Sequence, residues 1–121
     1  MEMMQLNNSI MKKINQLEEG RMLIGKRAED KAKYIAEYEK SLTITMMRLK
    51  YGELFTIDNF KIGGDNLQAN LIEKMAKGIC WKEKMDAERA EGLYRAAVTG
   101  MSSLEAELNG LQSIMRYVKE I

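Results

Sequence analysis

The chain has 121 residues, no proline, no histidine and one cysteine, with 19 basic against 18 acidic side chains. That length suits one domain with a modest core, and a composition led by Ala, Glu, Lys, Leu, Met and Ile is all-α in character. A net charge of +1 excludes a field strong enough to steer DNA or an anionic membrane. Cys80 has no second cysteine with which to close a disulfide, which fits a reducing compartment. No stretch approaches the roughly 20 apolar residues of a membrane span, and no signal-peptide apolar run opens the chain. A cytosolic location is therefore expected.

The first helix is predicted over about residues 3–51. Its apolar seam is Met3, Ile10, Ile14, Leu17, Ile24, Ala28, Ile35, Tyr38, Leu42 and Leu49, interrupted by Asn7, Arg21, Lys31 and Thr45. A helix of that length spans about 75 Å and must lie along a partner. The helical period breaks over residues 52–65. There Phe55, Ile57, Phe60 and Ile62 flank Asp58-Asn59, the pattern of a small β-hairpin with a two-residue turn. Gly63-Gly64 turns the chain. Asp65 with Gln68 three residues on reads as a variant capping box.

A second helix is predicted over about residues 66–119. From Ala90 the positions Tyr94, Ala97, Met101, Leu104, Leu108, Leu111, Met115 and Val118 step by four and three without a miss, the seam of a helix lying along another helix. Ala76, Cys80 and Ala87 extend it backwards. The expected fold is a single helical domain over residues 1–121: a long antiparallel, coiled-coil-like helical hairpin closed by the small β-unit. Antiparallel pairing places Gly25 near Gly100, which suggests close backbone approach or a bend. Met11, Met22, Leu23, Ile44, Met46 and Met47 lie off the first seam, and Ile72, Met75, Ile79, Trp81 and Met85 off the second. An apolar stripe wider than one seam implies assembly into a bundle of two or more copies.

No motif specifies chemistry. With no histidine and one cysteine no zinc site is expected, and the carboxylates Glu83, Asp86 and Glu88 resemble any solvated helix face. Cys80 lies on the seam with no base to activate it. Gly63-Gly64 lacks the flanking residues of a phosphate loop. No catalytic residue, cofactor or metal is therefore assigned, and the chain is not read as an enzyme. The one polar cluster of interest is Arg48, Lys50 and Tyr51, approached by Trp81 and Lys77 from the second helix. Basic and aromatic side chains together could contact a protein partner, or hold the phosphate and base of an anionic ligand. Direct nucleic-acid binding is disfavoured because so few charges are involved and Glu53 and Glu73 stand close by.

The runs Leu71-Ile72-Glu73-Lys74-Met75-Ala76-Lys77-Gly78-Ile79-Cys80 and Ala106-Glu107-Leu108-Asn109-Gly110-Leu111-Gln112-Ser113-Ile114-Met115-Arg116-Tyr117, with residues 51–62, carry a resemblance. They resemble small, mostly uncharacterised helical proteins of tailed phages and prophages of low-GC Gram-positive bacteria. The resemblance spans about residues 40–121 and brings no catalytic signature. It implies a phage-encoded protein acting in the bacterial host cytoplasm. The reading it favours is a non-catalytic interaction protein that binds and neutralises a host factor, such as a defence component or its nucleotide signal. The alternative is an accessory factor in phage DNA replication or recombination.

Overall fold

The computed structural model describes residues 2–120. Helix α1 (Met3–Lys50) is followed by strands β1 (Leu54–Ile57) and β2 (Phe60–Gly63), then by helices α2 (Ala69–Ile79) and α3 (Trp81–Glu120). The chain is mostly helical, with two long helices that pack together and one small antiparallel hairpin.

Each boundary has a local cause. Beyond α1, Gly52 takes φ +83. Its N–H donates to Leu49 O at 3.0 Å, and the Glu53 N–H donates to Arg48 O at 3.1 Å. That bond pair is a Schellman cap, which satisfies carbonyls the helix would otherwise leave open. The expected hairpin follows. Phe55 pairs with Ile62 and Ile57 with Phe60, while Asp58 and Asn59 both take positive φ, 47° and 71°. Two such residues in succession give the mirror-image turn whose twist matches the strands, and Asp and Asn tolerate it better than bulkier residues.

Two expectations fail in the second half. The capping box is absent: Asn66 sits at φ +65, outside helical geometry, so α2 opens three residues later. Its N-cap is Gln68, with no side-chain cap bond. The single second helix is in fact two. Cys80 stands between α2 and α3 with φ −91° and ψ 27°, its N–H still donating to Ala76 O. One turn-like residue barely changes the helical phase, so the apolar period runs through the break without recording it.

The described chain groups into two compact units, residues 2–29 with 92–120, and Asp30–Glu91. In the first, α1 and α3 run antiparallel. The seam positions of α3 behave as expected: Met101 is buried, and Tyr94, Ala97, Leu104, Leu108, Leu111, Met115 and Val118 are all less exposed than their neighbours. On α1, Ile10 and Leu17 are buried as expected, but alternate positions are shifted by one residue. Leu6 is buried where Asn7 was expected, and Gly20 and Arg27 face inward more than Arg21 and Ala28. Met3 is 40% exposed. The rotation buries Leu6 and spares Asn7 and Arg21 a desolvation cost. It also brings Gly20 beneath Met101, whose sulfur would lie only 2.9 Å from an added Cβ. At the rim the Lys13 ammonium pairs with Glu107. Gly25 and Gly100 do not make the suggested close approach, since a Cβ at either would meet open space.

In the second unit the core is Leu49, Ala76, Cys80, Ala87 and Ala90, with Thr45 as its buried polar member. Small residues dominate it, which lets helix backbones come close. Thr45 Oγ1 and Cys80 Sγ lie 3.3 Å apart and share a hydrogen bond, so neither polar group is buried without a partner. Leu49 is fully buried and reaches the hairpin: its Cδ2 would stand 3.1 Å from a Cβ on Gly63. No described helix is long and apolar enough to cross a membrane.

Candidate functional site

The residues singled out by sequence fall in the second unit, and their environments differ. Arg48, in the last turn of α1, faces the hairpin. It pairs with Glu53, and its guanidinium carbon stands 4.6 Å from the Phe55 ring centroid. The hydrogen bond that Arg48 donates to the Glu53 carboxylate pushes the guanidinium still further above its already high ordinary pKa, so Arg48 stays charged at every pH the protein meets. The Schellman cap explains this geometry, because it folds Glu53 and Phe55 back over the helix end. Arg48 thus clasps the hairpin, and an external anion would have to displace Glu53.

Lys50 and Tyr51 share an open groove of about 560 Å³. Its walls include Leu49 from α1, Asp65 and Asn66 from the connection, and Ile72 from α2. The left-handed residues Gly52, Gly64 and Asn66 shape this end. Along α1 a second groove of about 480 Å³ is lined by Thr43, Met46, Met47, Lys50, Ala69 and Ile72. Lys50, Ala69 and Ile72 border both grooves. The methionine end is overwhelmingly apolar, with Lys50 as its one charge and no carboxylate in its lining. Volumes of this size fall in the range of ligand clefts, which run roughly 300–1,000 Å³.

Trp81 lines neither groove. It is half exposed at the start of α3, with the Lys82 ammonium 5.9 Å from its ring centroid. Lys77 is engaged by Glu73 on its own helix at 3.2 Å. The structure therefore joins Lys50 with Tyr51, and commits Arg48 to the hairpin. By sequence Met46, Met47 and Ile72 stand out only as off-seam residues, Asp65 only as part of a capping box, and Thr43 and Ala69 not at all. The recurrence of Thr43, Met47 and Lys50 at steps of four and three was the available signal. Among the described residues, no group of three or more His, Cys, Asp or Glu could hold a metal ion.

Because its partners are Phe55 on the hairpin and Glu53 just before it, Arg48 has a testable structural role. Arg48→Glu should set two carboxylates against each other and loosen the hairpin. Hydrogen exchange at the β1 and β2 amides should accelerate while the helical melt stays nearly unchanged, since exposed pairs contribute little to global stability. Unaltered hairpin protection would show that the clasp holds nothing.

No protein family, curated protein or solved structure matches the chain.

Proposed function

We propose that this is a non-catalytic interaction protein that works by occupancy: it binds a host factor through the groove between the end of α1 and the start of α2. The reading takes the chain to be phage-encoded and to act in the bacterial host cytoplasm, as its resemblance implies, with the bound factor a defence component or its signal. The observation that supports it is the methionine-lined groove, open to solvent and carrying a single cation. Methionine is flexible and polarisable, which suits a surface that adapts to a foreign partner. Lys50 adds one charge contact without burying a cation. Assembly of the chain into a helical bundle fits the same picture, because the remaining exposed apolar residues need cover.

The test is a binding assay between the purified chain and the host factor recovered with it from infected cells. Met47→Asp and Ile72→Asp should each weaken that complex about tenfold or more, as loss of a central apolar contact does, while Trp81→Ala binds like wild type. Circular dichroism melts establish that the variants fold. If both groove variants bind normally, the groove is not the contact surface. Steeply salt-dependent binding to single-stranded DNA would instead favour an accessory role in phage replication or recombination. Turnover of a defined substrate would overturn the occupancy reading.

A further inference from the structure

The two grooves at the end of α1 offer an occupant very few charges. Lys50 is the one charged residue of the methionine groove, and among the described residues it makes no ion pair. Two nearby cations are already engaged, Arg48 by Glu53 and Lys77 by Glu73. The adjoining groove, which shares Lys50, adds only the Asp65 carboxylate. The rest of the methionine groove is Met46, Met47, Ala69 and Ile72, none of them aromatic, with Thr43 at its edge. The Thr43 hydroxyl donates to Glu39 O of its own helix at 2.9 Å, so its proton is already used.

We infer that the occupant of this groove is a protein segment bearing apolar side chains and a single Asp or Glu, rather than a nucleotide. The inference rests on the reading that the groove binds a host factor, and it chooses between the two kinds of factor proposed above. A phosphomonoester brings about −1.5 to −2 charges and is met by arginine forks or several donors at once. Here a single ammonium would face it, and Asp65 would repel the remainder. A base would find no ring to stack on in the methionine groove, since Trp81 lines neither groove. A carboxylate carries one charge, which Lys50 matches. The apolar surface also leads out of the groove. Ile44 and Met47 lie three apart on one side of α1, and the Tyr51 N–H donates to Met47 O at 3.2 Å, which keeps Tyr51 on the same path. These three are 47%, 49% and 79% exposed. A small amphiphile such as a fatty acid would fill the groove and leave Ile44 bare. It would also lie in an open trough, whereas small ligands are usually buried over roughly 70–90% of their surface. A segment carried on a larger body covers both the groove and the stripe beside it.

Selection from a display library of random short peptides on the immobilised chain reads this chemistry directly. The recovered peptides should be apolar and carry one Asp or Glu. Lys50→Met should weaken the leading peptide about three- to fivefold, the effect of one exposed charge contact, and Lys50→Glu should turn the selected charge to Lys or Arg. Met47→Asp should weaken it about tenfold or more. Recovery of no peptide, or of peptides that bind Lys50→Met as tightly as wild type, would overturn the inference. Calorimetry with ATP, cyclic AMP, a cyclic dinucleotide and dodecanoate covers the other occupants. Binding of any of these that is lost in Lys50→Met would also overturn it, while leaving the groove as the contact surface. The groove reading itself falls on a different result, host factor bound normally by Met47→Asp and Ile72→Asp, so the two failures are told apart. Circular dichroism melts confirm that each variant folds.

Discussion

Leu49→Asp should abolish cooperative folding of the Asp30–Glu91 unit. Leu49 is 1% exposed, lies on the last turn of α1 and packs over Gly63 of the hairpin. An aspartate there loses about 1.5–3 kcal/mol of apolar burial and leaves a carboxylate without a partner, a second penalty of similar size or larger. Leu49→Ala separates the two effects, because it leaves only the cavity and should cost about 2–5 kcal/mol. Urea melts followed by circular dichroism provide the measurement. An aspartate variant as stable as wild type would mean that Leu49 is not in the core.

Gly63→Ala should be the most damaging single methyl group in the chain. The backbone holds φ +112 at this position, and an added Cβ would lie 2.3 Å from the carbonyl oxygen of Glu53. That neighbour is backbone, in the residue just before β1, and cannot swing aside as a side chain could. Strain and collision together should cost about 2–4 kcal/mol. Gly64→Ala is the matched control. Gly64 has a similar φ of +105, but its Cβ would meet only Leu54 Cδ2, at 3.5 Å. The difference between the two melts isolates the contact from the dihedral. Equal losses would show that the Glu53 carbonyl can move.

These positions also show how far the sequence could be read. The α3 seam was legible because nine apolar residues ran without interruption, which leaves one choice of inward face. The hairpin turn was legible because Asp58-Asn59 stands between two short apolar runs and both residues accept positive φ. On α1 the face was ambiguous wherever two neighbours competed, as with Leu6 and Asn7 or Gly20 and Arg21. Only the packed structure weighs the desolvation of one against the fit of the other. The start of α2 was misplaced because nothing in Asp65-Asn66 reveals that Asn66 is left-handed. The candidate cluster was half legible. Lys50 and Tyr51 come together because they are adjacent in the chain. The diversion of Arg48 to Glu53 and Phe55 depends on the direction in which the Schellman cap turns the backbone, and a list of residue types does not carry that direction.

The division into units has a consequence for the order in which the molecule is built. The unit Asp30–Glu91 is one uninterrupted stretch, so its contacts close short loops and can form as soon as that stretch is available. The other unit joins residues 2–29 to 92–120, across everything in between. Closing so long a loop is entropically expensive while the intervening chain is unfolded and much less so once that chain is compact. On the ribosome the disadvantage is sharper, because Leu6, Ile10 and Leu17 emerge well before α3 does. The part of α1 before Asp30 is thus made with its apolar face bare and stays bare until α3 follows, the interval in which a nascent chain is most open to chaperones or to the wrong neighbour.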